Sequence, residues 1–471
     1  MALACGAMAL DFGSGHKDQP PDPRDPSEAR RVQHTRLRRR ILYCEFEDDL
    51  KRLVVRMVGP ERAKAWGQVD MTGNPYATMW KQASRLYAVA PKVTAPPGGE
   101  ELLAILKAKG YWSQMQRTQR DTLALQEMVL RIDVIEGELV LRWVFPDHAT
   151  GQVTSRDPSE PVAMSDWCAV DGEWVQDVAD VSGDPYLTTL DSKGKEIGPR
   201  LAGDAYPFVS ADDVAVLPYV MYHTTDTGRL WDPYTDRELV SGSLNLGVYL
   251  TMFGHSVLNA SWPQRYTVGA EIEGADLDTG NGVTVRGLVL DAAKLATFRS
   301  QEGVTAQIGQ FDAGCDPEAL FRALSLYERR LLLSAGLHPP DVTRQQADVR
   351  SGYSLAVARE AVREQQRLSE PSFRRADMAA IRLAAIALNS ATGSSYPEVG
   401  YEIDYRGLPP SPVEDAAKLQ VVTDMLDRGV ISADEARVAL ADVLGRLDID
   451  ARAPAPVPAA IPAQIQTRGE A

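Results

Sequence analysis

Residues that could support catalysis are scattered through the sequence and form no recognisable catalytic pattern. The chain lacks the spacing of a phosphate-binding loop, an HExxH zinc helix, a GxSxG nucleophile turn and a dinucleotide-binding glycine motif. His255 is followed directly by Ser256, but the sequence assigns no acidic partner to this pair. A histidine packed within a helix is the alternative interpretation. We therefore predict that the protein is not an enzyme and uses neither a cofactor nor a metal.

Arginines recur on one face of a predicted helix. Arg359, Arg363 and Arg367 follow one another at four-residue intervals, with Glu360 and Glu364 one position further along. Like charges at this spacing repel unless something compensates them. Either a salt-bridged contact with a neighbouring subunit or local pairs with the two glutamates would do so, and the sequence leaves both open.

A polar segment over 337–352 carries two more arginines. Arg344 and Arg350 are offset by Asp341 and Asp348, so the segment has no net charge and little apolar surface. Such a segment gains little by packing, and we expect it to protrude and to be mobile. Its arginines could bind phosphate groups or pair with the two aspartates.

A third basic cluster lies near the N-terminus. It consists of Arg30, Arg31, Arg36, Arg38, Arg39 and Arg40. It could contact DNA or an acidic neighbouring subunit, and a solvated helix start is the alternative. The predicted helix continues with an apolar face that includes Leu42, Phe46, Leu50, Leu53 and Met57, and Gly59-Pro60 ends it.

Composition excludes several classes of protein. The net charge of −15 and pI near 5.0 argue against a protein that grips nucleic acid by neutralising phosphates, but not against an acidic conduit through which DNA slides. The four cysteines lie far apart, which predicts neither disulfides nor a zinc site and fits a reducing cytoplasm. No apolar run reaches the roughly 18–20 residues of a membrane span, and the N-terminus lacks a basic signal-peptide region.

Two helical stretches and a very long helix are the elements that must position these residues. The first stretch, 236–261, carries Gly242, Gly247 and Gly254, and glycine destabilises a helix interior relative to alanine. A close approach of another backbone along this helix would explain why glycine occurs there; a broken helix is the alternative. The second, 316–336, starts with Asp316 as a cap followed by proline.

The long helix is predicted over 353–391. Pro371 interrupts its periodicity, which predicts a bend or a restart with Ser369 as the new cap. At 1.5 Å per residue this helix spans roughly 55 Å, more than a compact domain needs, so an assembly is indicated. Between the two shorter helical stretches, 262–315 contains short strands and Gly-rich turns.

The region before these helices reads as α+β. Helices are predicted before residue 127, followed by a hairpin that turns at Glu136-Gly137 and by short strands up to 223. After the long helix come a strand at 401–405, a helix from 411 to 428 and a last helix through 444 with a Ser432/Glu435 capping box. The ends, 1–29 and 448–471, are predicted to be disordered.

This order of elements resembles the portal proteins of tailed bacteriophages over about residues 35–447. The resemblance implies an α+β, portal-like fold with a wing, a two-helix stem, a small α/β clip, a tunnel loop, a long wing-crossing helix and a helical crown. The matching ranges are 30–235 (wing), 236–261 (stem helix), 262–315 (clip), 316–336 (second stem helix), 337–352 (tunnel loop), 353–410 (long wing helix and short strand) and 411–447 (crown).

The resemblance also implies a function. A ring of twelve subunits would form a channel at one capsid vertex, dock terminase and the head–tail connector, and contact the capsid or scaffolding protein. Double-stranded DNA would pass Arg344, Gln345, Gln346 and Arg350 in the tunnel loop, and the 359/363/367 arginines would lie between subunits. The protein would be found in the virion, and in the host cytoplasm during assembly. Another virion structural protein, such as a minor head or adaptor protein, and an enzyme of unrecognised family are the alternatives.

Overall fold

The computed structural model describes residues 19–440 except for 24, 67, 155, 199–205, 233–236, 262–264, 269, 273–275, 279–283, 287–297, 301–306, 311–315, 335–359 and 406–411. The chain belongs to the α+β class and divides into two compact units. The first comprises Met1–Arg344 and Ala361–Gly407, and the second Gln345–Glu360 and Leu408–Ala471.

The helices and strands of the described residues follow in chain order. The helices are α1 (Pro26–Leu42), α2 (Glu47–Val58), α3 (Pro60–Trp66), α4 (Pro75–Ala83), α5 (Glu100–Ala108), α6 (Tyr111–Leu125), α7 (Arg237–Ser261), α8 (Pro317–Ser334), α9 (Glu360–Thr392), α10 (Pro412–Asp427) and α11 (Ala433–Ala439). The strands are β1 (Lys92–Thr94), β2 (Glu127–Ile135), β3 (Glu138–Val144), β4 (Ala149–Val153), β5 (Pro161–Val170), β6 (Glu173–Asp180), β7 (Tyr186–Asp191), β8 (Phe208–Val209), β9 (Ala215–Val216), β10 (Tyr219–His223), β11 (Arg265–Val268), β12 (Ala270–Ile272), β13 (Asp276–Asp278), β14 (Thr284–Arg286), β15 (Phe298–Ser300), β16 (Gln307–Gln310) and β17 (Glu402–Asp404).

The N-terminal segment is more ordered than its composition predicts. Helix α1 begins at Pro26, capped by the Asp25 side chain, and the guanidinium of Arg36 bonds to the Pro20 carbonyl and to Asp22. The predicted disordered arm 1–29 is therefore wrong for 26–29, which belong to α1, and for Pro20 and Asp22, which the buried Arg36 holds. Residues 1–18 lie outside the described part of the chain.

The single helix predicted from the basic cluster to Met57 is two helices. Cys44 has a φ of 59°, and this left-handed residue separates α1 from α2. Phe46 and Leu50 are fully buried as predicted, whereas Met57 is 54% exposed. Gly59 ends α2, but Pro60 then starts α3, as a proline at a first helical position can.

Two antiparallel sheets form the centre of the first unit. Strands β10, β2 and β3 make one sheet and β4 to β7 make the other as a meander. The predicted hairpin turn is confirmed, since Glu136 and Gly137 both have positive φ and match the right-handed strand twist. Apolar side chains fill part of the space between the sheets: Val129, Val144, Ala149, Met164 and Ala179.

The opposite face of the three-stranded sheet is covered by helices. Alternation along β2 turns Val129 and Arg131 toward the second sheet and Leu130 and Ile132 away from it, and all four side chains are buried. The helices on the second face include α6, a helix that the sequence analysis did not delimit, and α9. The layers are therefore helix, sheet, sheet.

Helix α9 passes through Pro371 without a break. The prediction of a restart capped by Ser369 is wrong, since both residues lie inside one helix that runs from Glu360 to Thr392. Ser369 is buried, and the hydroxyl of Ser372, the residue after Pro371, donates to the carbonyl oxygen of His223 on β10. Packing against the sheet therefore keeps the helix continuous at Pro371, although proline has no N–H for a helical hydrogen bond. The predicted strand at 401–405 is confirmed as β17, which pairs with β1.

The second unit contains a helical hairpin. Gly429, with a φ of 68°, ends α10, and the N–H of Val430 bonds to the carbonyl of Met425. The predicted capping box of Ser432 and Glu435 is confirmed at the start of α11. The described part of α11 ends at Ala439, and the predicted continuation to 444 lies largely outside the described residues.

The described helices include none that is both long enough and apolar enough to cross a membrane.

Candidate functional site

The candidate site is an antiparallel pair of helices joined by a strand ribbon. Tyr249 of α7 packs edge-on against Tyr327 of α8, with ring centroids 5.4 Å apart. Phe253, one turn further along α7, contacts Phe321, which lies earlier on α8, at 6.3 Å. Rising numbers on one helix meet falling numbers on the other, so the two helices run in opposite directions.

Two of the three α7 glycines lie where another element comes close. A Cβ at Gly242 would lie 2.2 Å from Leu331 Cδ1 of α8, and one at Gly247 would lie 2.9 Å from both methyl carbons of Leu50 on α2. The close approach predicted from the glycines is confirmed at these positions. It is not found at Gly254, where a Cβ would meet no described atom within 4 Å.

The ribbon between α7 and α8 consists of three nested antiparallel pairs. Strand β11 pairs with β16, β12 with β15, and β13 with β14, so the chain goes out through three strands and returns through three. The ribbon starts beyond the end of α7 and finishes before α8 starts. The sequence analysis predicted short strands here but not their nesting, because pairing across about 40 residues leaves no local signal.

Three large apolar side chains of α8 are more than half exposed, and two of them share one face. Leu326 is 58% exposed, Leu333 is 53% exposed and Phe321 is 59% exposed. Leu326 and Leu333 are seven residues apart, so they share a helix face that is not the one turned toward α7. Exposed apolar groups that line up along a helix are typical of a surface that another protein covers.

One buried carboxylate of the long helix contacts several other elements of the first unit. Asp377 of α9 is fully buried and contacts four tyrosine hydroxyls. Its Oδ1 lies 2.6 Å from the Tyr111 hydroxyl and 2.9 Å from that of Tyr222, and its Oδ2 lies 2.7 Å from Tyr87 and 2.6 Å from Tyr405. These tyrosines come from α6, β10, the segment after α4 and the residue after β17. Helix α9 is thereby tied to four separate parts of the fold.

A second buried network lies between the two sheets. The fully buried Arg131 guanidinium places Nε 2.8 Å from an Asp133 oxygen and Nη1 2.8 Å and 2.6 Å from oxygens of Asp166 and Asp177. Burial raises the pKa of Asp133, although the Arg131 charge opposes that rise. The alternating pattern of β2 is typical of a sheet with one wet face, so sequence reasoning missed this network.

Two neighbouring side chains complete the network around Asp166. Tyr219 donates its hydroxyl to Asp166 Oδ1 over 2.6 Å, and Arg142 donates to Oδ2 over 2.5 Å. The Thr189 hydroxyl donates to the second oxygen of Asp177 over 2.5 Å. The carboxylates are therefore paired with cations and hydroxyls that belong to several strands.

The N-terminal basic cluster points mostly inward, which corrects both predictions made for it. Arg40 forms two bonds of 2.8 and 3.0 Å to Asp49, and Arg39 lies 2.9 Å from the fully buried Asp147 carboxylate. Arg31 donates to the carbonyl oxygens of Pro146 and Ala149. Arg36 and Arg38 are also buried, and of the six arginines Arg30 alone is classed as exposed. A solvated helix start or a DNA contact would need the guanidinium groups in water.

The predicted channel and intersubunit residues fall largely outside the described part of the chain. Arg344, Gln345, Gln346 and Arg350 lie there, as does Arg359. Arg363 and Arg367 both belong to helix α9, and Arg367 is exposed. The compensation expected for these arginines therefore remains a prediction.

The described residues bring no catalytic arrangement together. His255 and Ser256 are consecutive in α7, and neighbouring helix positions do not face each other. No group of three or more potential metal ligands occurs among these residues, and Cys44 and Cys168 are free.

Glu127 is a buried acid that the sequence analysis did not single out. Burial raises its pKa to about 7, although the charge of Arg31 opposes the rise. Its Oε1 accepts the N–H of Asp232, so it holds the end of the segment after β10.

No protein-family model matches this chain, and no curated protein sequence matches it significantly.

Proposed function

We propose that this protein is a portal-type ring subunit of a tailed bacteriophage or prophage. The observation that carries the proposal is the antiparallel α7–α8 pair with a nested strand ribbon inserted between the two helices. In a portal, such a pair forms the stem that lines the channel and the inserted ribbon forms the clip. The long α9, packed across the first unit, corresponds to the helix that crosses the wing.

The surface of α8 supports assembly. In an isolated chain Leu326 and Leu333 expose apolar surface to water. A neighbouring subunit that covers this surface would stabilise the ring by about 25 cal/mol per Å² of apolar area buried. The inward-facing arginines of α1 support the same proposal indirectly, because they remove the most basic surface that a DNA-gripping protein would use. A net charge of −15 suits a wall past which DNA slides.

The remaining elements of the proposal follow from the portal role. The ribbon would dock terminase and later the head–tail connector, and 337–352 would line the narrowest part of the channel, with Arg344 and Arg350 touching phosphates. The subunit would reside at the portal vertex of the virion, next to capsid or scaffolding protein. ATP hydrolysis would belong to terminase.

Negative-stain images and mass photometry of the purified full-length protein test the ring. We expect particles with a central hole and a mass several times that of the chain. A clean monomer across micromolar concentrations at physiological salt would overturn the proposal. A closed oligomer without a hole would instead favour another virion structural protein.

A matched pair of variants tests the α8 surface. The double change Leu326→Gln and Leu333→Gln should weaken or abolish ring formation while circular dichroism and thermal unfolding stay near wild type. Glu47→Gln with Lys51→Gln, an exposed ion pair on α2, serves as the control and should assemble normally. Equal behaviour of the two double variants would show that this apolar face is not an interface.

The channel role is tested by deleting Thr343–Val349. Rings should form as before, while DNA packaging or genome retention falls in an assembled particle. Normal filling and retention would rule out the channel role of this segment and leave the ring itself untouched.

A further inference from the structure

The hydroxyl and carboxyl oxygens around Asp377 make one more contact than tyrosine protons can supply. Besides the four contacts to Asp377, the hydroxyl oxygens of Tyr111 and Tyr222 lie 2.5 Å from each other. The two atoms also share Oδ1 of Asp377, so the three oxygens form a closed triangle. There are thus five short oxygen–oxygen contacts among six oxygens.

Each such contact needs one proton between its two oxygens. Each tyrosine hydroxyl carries a single donor proton, so four tyrosines supply four. With an ionised carboxylate, two tyrosine protons serve the three edges of the triangle, so one edge has none. If both hydroxyls donate to Oδ1, their oxygens face each other at 2.5 Å with lone pairs only; if Tyr222 donates to Tyr111 instead, its oxygen faces the charged Oδ1 at 2.9 Å without a proton. Buried polar atoms at hydrogen-bonding distance without a proton repel rather than bind, and burial makes this repulsion more costly.

We infer that Asp377 is a neutral carboxylic acid in the folded protein at physiological pH, and that its proton closes a three-membered hydrogen-bond cycle. In one direction round the cycle, the Oδ1 hydroxyl donates to Tyr222, Tyr222 donates to Tyr111, and Tyr111 donates back to Oδ1. Oδ2 accepts from Tyr87 and Tyr405. All five contacts then hold one proton each, and the cycle fastens α9 to α6 and β10.

The surroundings of Asp377 favour the neutral form. No described cation forms an ion pair with Asp377, and the groups that face it are the four tyrosines. The nearby guanidinium of Arg374 lies over the Tyr405 ring, 5.2 Å from its centroid, and bonds to Glu370 and to the Ile403 carbonyl. Burial raises the pKa of Asp377 while the hydroxyls oppose the rise, and the pKa stays above its ordinary value.

Ionisation would open the cycle. Loss of the fifth proton leaves the triangle one proton short, so the Tyr111 and Tyr222 oxygens must separate and the contact between α6 and β10 opens. Because the pKa of Asp377 is raised on folding, this stabilisation is complete below the pKa of the unfolded chain and is lost as pH rises through the folded value. The cycle therefore holds α6 against β10 beside the long helix, and it opens with base.

Infrared spectroscopy of the full-length protein at about pH 7 tests the proton. The experiment uses the Glu127→Gln background, because Glu127 has a pKa of about 7 and would add its own carboxyl band. A C=O band of a protonated carboxyl should be present and should vanish when Asp377→Asn is added. An unchanged protonated-carboxyl region, with a loss of carboxylate bands instead, would show that Asp377 is ionised and would overturn the inference.

A second variant keeps the test decisive if Asp377→Asn does not fold. Tyr222→Phe removes two contacts and one proton, which leaves three contacts and three protons around an ionised carboxylate. The carboxyl band should weaken and the decline of stability with rising pH should shrink. If Asp377 were already ionised in the wild type, loss of a hydrogen-bond donor would destabilise the carboxylate, and the decline of stability with rising pH would not shrink. That outcome would contradict the inference.

Discussion

The two faces of the three-stranded sheet each bury a carboxylate network, and they solve the same problem differently. Toward the second sheet, Asp133, Asp166 and Asp177 surround the charged Arg131. Toward the helices, Asp377 meets neutral phenols, with no cation paired to it among the described residues. Residues three apart on β10 serve the two sides, since Tyr219 bonds to Asp166 and Tyr222 to Asp377.

The difference shows two ways to keep acids in a dry interior. A guanidinium compensates charge by Coulomb attraction, and its loss leaves several negative charges unpaired. Hydroxyls compensate by donating hydrogen bonds, and a proton can remove the charge altogether. The first network should therefore depend on one residue and the second on several. Glu127, close to the Arg31 charge and bonded through one backbone N–H, lies between these extremes.

The largest effect is expected from Arg131→Met. It would leave three buried carboxylates without their shared cation, and breaking a buried pair costs about 3–5 kcal/mol of unfolding free energy. Urea denaturation measures this, with Arg142→Met as the control. Arg142 is 29% exposed in its side chain and Asp166 would keep Arg131, so the control should cost clearly less. Equal losses would show that the network does not rest on Arg131.

Glu127 should make stability depend on pH. Its pKa rises from 4.5 to about 7 on folding, so stability should fall by about 3 kcal/mol as pH rises through that window. Denaturation midpoints at several pH values should fall less in Glu127→Gln.

The exposed Glu138 provides the control for this pH dependence. Lys109 holds its pKa below the ordinary value, so its contribution is present above the unfolded pKa and is lost as pH falls. Glu138→Gln should leave the decline between pH 4.5 and 7 unchanged. A wild-type protein with no decline in that window would show that Glu127 is compensated as fully as the Arg131 network.

Tyr87→Phe and Tyr405→Phe test whether several hydroxyls together stabilise the buried Asp377. Each removes one of two donors to Oδ2 and should cost about 1 kcal/mol, the net value of a typical hydrogen bond. The double variant leaves Oδ2 without either donor, so its loss in denaturation should exceed the sum of the single losses. Strict additivity would show that the hydroxyls act independently.

The smallest effect is expected from Tyr219→Phe. Asp166 would keep both guanidiniums, so the loss should be at most about 1 kcal/mol. A loss as large as that of Arg131→Met would remove the contrast between cation-based and hydroxyl-based compensation.

Much of the secondary structure could be predicted because its signals are local. The α7 helix, the start of α8 at Asp316 and the turn at Glu136-Gly137 depend on residues a few positions apart. The glycines of α7 also predicted a close approach, which occurs at Gly242 and Gly247. The predicted restart at Pro371 was wrong because packing of α9 against the sheet keeps the helix continuous there.

The buried networks could not be predicted in the same way. Arg131 and Asp377 look like ordinary polar positions of a strand and a helix, and all their partners except Asp133 lie 28 to 290 residues away. The arginines of α1 read as solvated for the same reason, although Asp147 receives Arg39 across 108 residues. A charge is placed inside only when distant elements meet around it.

The sequence by itself determined the α+β class and many of the helix ends and turns, because caps, turn residues and apolar periods act over one or two turns of chain. Tertiary structure alone decided which polar groups are buried, how the ribbon strands nest between α7 and α8, and which face of α8 is left apolar in solvent. The physical reason is that desolvation and Coulomb pairing depend on distances in space, which the spacing of residues along a chain does not encode.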